Sequence, residues 1–360
     1  MQKAFRLSAG ILLTACLSPL AHADSKKSDE AKKIVEEQFS SIAIIEGDIG
    51  NGTGFIINEG EVTRLYTAAH VLCGNKRLTV KNADGRKFTK FGTFEVAEKS
   101  DLARIELKED FESGIERAEP GSAKVKTKLL AIGNSGGAGV LTVLNGEAKS
   151  LGPDSIEVTN GVIQGNSGGP VFSGESGKLL GVVTHATAGR DDIWAKDTDF
   201  DEVRRFATRL DRKIKWQQMP IGRFLKEDAR LEDFNRNTRI LYAISVLDPT
   251  KAGLRLDTRV GDGGPTILSI FEENEEVPIV AALFDMNTEL ASKRMRTSDN
   301  GLISRFGKFY RSALHELNRD AKEFNPKGFS GYNREAAKQS VKWRKDAVKD
   351  LESAAARLKG

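Results

Sequence analysis

The chain has 360 residues, of which 39% are hydrophobic, 29% charged and 7% aromatic. That mix excludes a polytopic membrane protein and wholesale disorder, and the length suits two domains of ordinary size. Lys+Arg 55 against Asp+Glu 51 leaves a net charge of +4, too little to argue for nucleic acid, and Cys 2 excludes a disulfide scaffold.

Met1–Arg6 carries Lys3 and Arg6; the apolar run Leu7–Leu20 follows, then the small-x-small stretch Ala21-His22-Ala23. A basic start, a short apolar run and an A-x-A end are the three parts of a secretory signal, and the run is too short to span a membrane. Residues 1–23 are therefore expected to be an address. The mature chain would begin near Asp24 and cross the inner membrane, to end in the periplasm or outside the cell. Leu13-Thr14-Ala15-Cys16 also fits a lipobox, so a lipoprotein held to the membrane through Cys16 stays open as the alternative. If the cut follows Ala23, Cys73 is the one cysteine of the mature chain, and the exported fold stands without an internal disulfide.

Residues 24–40 read as a helical lead-in whose apolar positions are Ile34, Val35 and Phe39. From 41 to 188 short apolar or alternating runs are broken by Gly, Asn-Gly and Asp-Gly. These runs are Ile42–Ile45, Gly54–Ile57, Arg64–Thr67, Leu78–Lys81, Leu102–Leu107, Leu129–Ile132, Ile156–Thr159 and Leu179–Val183. Runs of that length at close spacing predict an antiparallel sandwich or barrel. Beyond Gly189 the pattern turns helical. Val203, Phe206, Leu210 and Ile214 step by three and four, which predicts a helical segment over 189–247. Residues 248–265, from Asp248-Pro249 to Gly264-Pro265, are a turn-rich divider, and 266–360 is a helical C-terminal region. In that region Phe306, Tyr310, Ala313, Leu317, Ala321 and Phe324 form one apolar stripe that stops at Asn325-Pro326. Val341, Val348, Leu351, Ala355 and Leu358 form another on the last helix. Trp194, Trp216 and Trp343 are expected to be core anchors.

Three short motifs carry chemistry. In Gly165-Asn166-Ser167-Gly168-Gly169-Pro170 a serine is framed by glycines. Such a turn can aim backbone N–H groups at one point, as the oxyanion of an acyl-transfer intermediate requires, although the composition also suits an ordinary turn. Thr67-Ala68-Ala69-His70-Val71 ends an apolar strand, and Asp101 opens the run Leu102–Leu107. A serine hydroxyl needs a base to take its proton, and an imidazole base needs a carboxylate to hold its tautomer. The chain order His70, Asp101, Ser167 on an all-β pattern is the order used by the double-barrel scaffold, whereas other serine hydrolases order the three differently.

On these motifs, with Asn51-Gly52-Thr53-Gly54-Phe55-Ile56-Ile57 and Leu130-Ala131-Ile132-Gly133-Asn134, the segment resembles a trypsin-fold (chymotrypsin-like) serine protease. Within that clan it is most similar to the bacterial HtrA/Deg-like branch. The resemblance implies an all-β double β-barrel (trypsin-like) protease domain over 41–188, followed by a mostly α-helical C-terminal region. It also implies Ser167 as nucleophile, His70 as general base and acid, Asp101 as orienting carboxylate, the amides of Gly165 and Ser167 as oxyanion hole, and Thr184 beside the specificity pocket.

Departures from the clan's pattern shape the expectation. Asn166 stands where zymogen-activated members have Asp, so activation by propeptide cleavage is not expected. Gly161 stands at the base of the pocket, which removes any preference for Lys or Arg and favours small or medium apolar residues. His185 is read as a subsite wall or a plain exposed strand residue. No PDZ domain is recognisable after Gly189. The leading expectation is an exported serine endopeptidase acting on envelope or unfolded proteins; the alternative is a catalytically impaired protease-fold scaffold whose helical half engages a partner. A homo-oligomer is left open. No nucleic acid, metal or cofactor is expected, because His22, His70, His185 and His315 have no ligand spacing and no phosphate-binding fingerprint occurs.

Overall fold

A computed structural model describes the chain over residues 32–33, 35–187, 198, 203–247, 256–260, 265–293 and 300–358. The signal-like segment, Cys16, Trp194 and most of the 248–265 divider lie outside the described residues. Residues 32–33 and 35–37 are helical, as the lead-in pattern predicts, and Val35 is fully buried.

The first half is an eight-stranded antiparallel sheet. Its strands are β1 (Ile42–Gly47), β2 (Asn51–Glu59), β3 (Val62–Thr67), β4 (Leu78–Asn82), β5 (Lys87–Phe88), β6 (Phe91–Ala97), β7 (Ala103–Leu107) and β14 (Trp216–Gln218). They lie in the order β14-β6-β7-β3-β2-β1-β4-β5. The second half is a closed barrel of β8 (Lys128–Gly133), β9 (Thr142–Leu151), β10 (Ser155–Val158), β11 (Pro170–Ser173), β12 (Leu179–Thr187) and β13 (Arg204–Arg209), ordered β10-β13-β12-β11-β8-β9. The expected pair of barrels is thus one closed barrel and one sheet whose outer strands, β5 and β14, do not pair with each other.

All eight strand runs named from the sequence are strands. β7 shows the strict inside–outside alternation of a sheet with one buried face, while β2 is buried over six consecutive residues because both of its faces are covered. The sheet has its own core around Ile45, Ile56, Leu65 and Val80, and the barrel another around Ala131, Ile156, Val171, Leu180 and Ala207. A third cluster joins the two, with Phe55 and Tyr66 from the sheet against Leu130, Ile132, Phe172 and Val182 from the barrel. That packing fixes the cleft between the halves.

One expectation is corrected. The three- and four-residue spacing of Val203, Phe206, Leu210 and Ile214 is not helical: Arg204–Arg209 is strand β13, which pairs with both β10 and β12 and closes the barrel. Its inward residues include Ala207, fully buried, and its end is pinned by the buried Arg209–Asp211 pair at 2.8 Å. β14 then returns the chain to the sheet, where Trp216 packs edge-on to Tyr66 under the guanidinium of Arg104. Among the described residues beyond β12, the first helix begins at Ile221.

A four-residue helix, α1 (Ala69–Leu72), follows β3. The C-terminal helices are α2 (Ile221–Ser245), α3 (Ile267–Glu272), α4 (Pro278–Lys293), α5 (Asn300–Leu317) and α6 (Gly331–Arg357). The apolar stripes read from the sequence face their shared core: Phe306, Tyr310, Ala313 and Leu317 of α5 and Leu351 and Ala355 of α6 are buried with Ile240, Leu241 and Ile244 of α2. Trp343 stacks on Tyr242. Arg344 is the polar staple of this bundle. Only 3% of its side chain is exposed, and it donates to Thr238 Oγ1 (2.6 Å), Leu317 O (2.7 Å) and the carbonyl of Phe234, with its guanidinium over the Phe234 ring. One of the carbonyls left open at the end of α5, Leu317 O, is thereby used.

Candidate active site

Small residues let β3 pass straight into α1. Ala68 is extended, Ala69 is fully buried, and the next side chain, His70, emerges at the cleft with 40% of its surface exposed. Asp101 comes from the turn between β6 and β7, closed by Leu102 N donating to Ser100 O and Ala97 N to Leu102 O. Both carboxylate oxygens of Asp101 are engaged on one residue: Oδ1 accepts from the His70 backbone N–H at 3.0 Å, and Oδ2 lies 2.6 Å from His70 Nδ1. Ring and backbone are held together, which leaves Nε2 as the free nitrogen. Burial opposes the imidazolium, but the hydrogen bond and charge of Asp101 outweigh it, and the His70 pKa stands above its ordinary value.

Ser167 sits in the loop between β10 and β11, in a conformation only this sequence permits. Gly165 and Gly168 have φ of +90° and +84°. A Cβ on the first would lie 2.0 Å from Asn134 O, and on the second 2.1 Å from Thr53 O. Asn166, almost fully buried, accepts from Ile163 N through Oδ1 and donates to Ser135 Oγ through Nδ2, at 2.8 and 3.0 Å. It thus ties the serine loop to the 133–137 turn, a job that needs no freshly cut N-terminus. Thr53 makes the tie to the other half of the molecule. Its N–H donates to Ser167 O (2.8 Å), its hydroxyl donates to Gly165 O (2.7 Å) and accepts from Asn134 N (2.9 Å), and its own carbonyl accepts from Thr67 Oγ1. Among the described residues the amides of Gly165 and Ser167 donate to no protein acceptor. Two free N–H groups beside a serine hydroxyl form a site for a developing oxyanion.

His70, Asp101 and Ser167 line one cleft of about 420 Å³. The barrel contributes Val162, Ile163, Gln164 and Val183–Ala186, and the side of His70 and Asp101 is completed by Tyr332 of α6. Ser167 and His70 share this space without a hydrogen bond between them in this conformation; such contacts are commonly long in a free enzyme and tighten on substrate. The cleft walls are mostly apolar, and Ile163 is 56% exposed at the rim. Among the described residues the only carboxylate lining the cleft is Asp101, already committed to His70.

The sequence-derived positions fall as follows. Thr184 and His185 line the cleft. The His185 ring stacks on Phe206, and burial, with the nearby His70, holds its pKa below the ordinary value against the pull of Asp101. Gly161 flanks the cleft but does not line it; its three successors do, and a side chain at 161 would meet open space. Sequence reasoning missed Tyr332, 165 residues beyond Ser167, for which no local signal exists. Thr53 was legible as part of the Gly52–Ile57 motif, but its bridging role was not. Among the described residues no cluster of His, Cys, Asp or Glu could hold a metal ion.

Solved structures similar to this chain include an inactive form of the protease Rv3671c from M. tuberculosis H37Rv, 24% identical, covering 49% of this chain and 84% of that one with a TM-score of 0.38. Others are the HtrA-type protease AlgW with a tripeptide (23% identical, 50% and 60% covered, TM-score 0.39) and a serine endoprotease from Yersinia pestis (21%, 50% and 62%, 0.38). The chain spans less than two thirds of the last two. No curated protein matches it. The family model described as the trypsin-like peptidase domain matches residues 52–182. The matched stretch starts just before Thr53, ends just before Val183 and holds His70, Asp101 and Ser167 between them, so residues 52–182 are similar to a trypsin-like peptidase domain.

Proposed function

We propose that the protein is an exported serine endopeptidase that cleaves unfolded or partly folded polypeptides of the cell envelope. The observation that carries this reading is the His70–Asp101 pair, bonded through ring and backbone, in one cleft with a glycine-framed Ser167 whose flanking amides are free. In the proposed reaction Ser167 Oγ attacks the scissile carbonyl carbon and its proton passes to His70 Nε2. Asp101 stabilises the imidazolium, and the amides of Gly165 and Ser167 receive the oxyanion. Collapse breaks the C–N bond as His70 returns the proton to the leaving amine. Water, deprotonated by His70, then hydrolyses the acyl-enzyme. Apolar walls at Val162, Ile163, Val183 and Ala186, with no free carboxylate among the described residues, support cleavage after small or medium apolar residues.

Export rests on the three-part pattern of residues 1–23, and the mass of the mature N-terminus tests it: a chain starting at Asp24 supports a soluble periplasmic or secreted enzyme, and a lipid on Cys16 an anchored one. For the activity, unfolded casein should be cut by the wild-type chain and left intact by Ser167→Ala with an unchanged circular-dichroism spectrum. Undiminished cleavage by that variant would remove the assignment.

A further inference from the structure

Among the described residues Tyr332 is the one that the C-terminal helices supply to the cleft, and its position is tightly determined. Gly331, with φ +49°, lets the start of α6 close on β6; a Cβ there would stand 3.0 Å from Val96 Cγ1 and 3.1 Å from Ala97 O. The preceding Ser330 is fully buried and donates from N (2.9 Å) and Oγ (2.5 Å) to Glu227 Oε2 on α2. Asn333, also fully buried, donates to Phe224 O. The ring of Tyr332 packs beside the cluster of Ala69, Leu72, Phe94 and Phe224 that backs α1, while one side of it faces the cleft. Burial, reinforced by the charge of nearby Asp101, keeps its hydroxyl a neutral phenol.

The strand beneath the cleft fixes what such a ring would meet. β11 pairs with β12 only as far as Val182, and Val183 is taken up by Gly168 and Gly169. From Thr184 to Thr187, β12 is paired with β13 alone, so its other edge is open among the described residues. A polypeptide added to that edge is extended. With its scissile carbonyl at Ser167, beside Val183, its preceding residues run along His185 and Ala186, antiparallel to β12. In an extended chain successive side chains point to opposite sides. In such a pose the side chain of the residue whose carbonyl is attacked would take the barrel-side wall of Val162, Ile163 and Gln164. The residue before it therefore points to the opposite wall, made of His70 and Tyr332.

We infer that Tyr332 is a specificity-determining residue that reads the substrate side chain immediately before the scissile residue, so that the C-terminal helices supply part of the substrate site. The ring narrows this recess and favours small side chains over bulky ones there. This inference rests on the serine-endopeptidase reading above.

The test uses the full chain and two peptidyl diphenyl phosphonates that differ only in that residue, glycine in one and phenylalanine in the other, with the ratio of their rates of Ser167 modification as readout. The ratio cancels any change in the reactivity of Ser167 or in the folded fraction. Tyr332→Ala should shift it about tenfold toward phenylalanine, the scale at which a pocket discriminates by a few methylenes. Tyr332→Trp should shift it toward glycine, a direction that loss of stability cannot produce, and Tyr332→Phe should leave it near the wild-type value. A ratio unmoved in both the Ala and Trp variants overturns the role of Tyr332 while leaving the protease reading intact. Failure of the wild-type chain to react with a simple fluorophosphonate overturns that underlying reading, and this one with it.

Discussion

In the proposed mechanism Ser167 is a nucleophile only insofar as His70 is neutral, so the raised pKa of His70 has a direct kinetic consequence. With neutral His70 as the base, kcat/KM falls as pH drops through a value above histidine's ordinary 6.5. Asp101→Asn removes the cause of the shift, so the midpoint should move down while kcat falls by about 10⁴-fold through loss of the correct tautomer. A pH–rate profile of the two proteins checks both parts. Thr53 makes a second prediction at this scale. Thr53→Val keeps the volume but leaves Gly165 O and Asn134 N without a partner at a fully buried position. Stability should fall by about 1–3 kcal/mol per unpaired group and kcat by on the order of 10²-fold as the serine loop loosens, with Thr53→Ser restoring both. His70, Asp101 and Ser167 were legible because each stands in a motif whose neighbours are as constrained as the residue itself. Gly168 is the clearest case, since its φ and its contact with Thr53 O exclude every other residue. Tyr332 carries no such mark. What brings it to the cleft is Gly331 against β6 and Ser330 against Glu227, contacts made across more than a hundred residues.

Among the elements, strands bounded by turns were the most readable, and β13 was the clearest failure. Val203, Phe206, Leu210 and Ile214 have helical spacing, yet barrel closure decides their conformation. Arg204 pairs with Glu157 through two bonds of 2.8 Å across to β10, and Arg205 reaches Val162 O, so polar residues occupy positions a strand pattern would assign to apolar ones. β9 was missed for a related reason: Asn145-Gly146 reads as a turn but lies mid-strand, where Gly146 makes room for Asn160. In the helices, by contrast, the apolar stripes hold along α6 and along α5 as far as Leu317, where α5 ends short of the expected stop; Ala321 and Phe324 pack in a separate cluster with Phe234 and Phe329. The bundle's polar staple makes a prediction: Arg344→Ala leaves Leu317 O without its donor and takes one of two side-chain donors from Phe234 O, which keeps Thr238 Oγ1, in a buried place. Chemical denaturation should show a loss of about 3 kcal/mol or more, the range for breaking a buried hydrogen-bonded network. A loss within 0.5 kcal/mol would mean that the bundle does not depend on it.

At the scale of the whole molecule, the helices do more than follow the sheet and barrel. Phe224 of α2 is fully buried against Phe94 at a ring separation of 5.4 Å, in the cluster that includes Ala69 and Leu72 of α1. The helical part therefore backs the short helix that presents His70. Phe224→Ala should cost about 3–5 kcal/mol and should also lower kcat, because α1 loses its support; equal kcat in the surviving folded fraction would separate the two halves functionally. Composition and motif reading placed the chemistry in less than half of the chain and left the remainder as helical mass. The structure brings that mass to the cleft that holds His70, Asp101 and Ser167. The claim on which all of this depends is that Ser167 is activated by His70. Covalent modification by a fluorophosphonate, located by peptide mass spectrometry, tests it most directly. The expected result is one adduct on Ser167 that His70→Ala slows by at least about 10³-fold, and an adduct that is absent from the wild-type chain, or that forms as fast without His70, would contradict it.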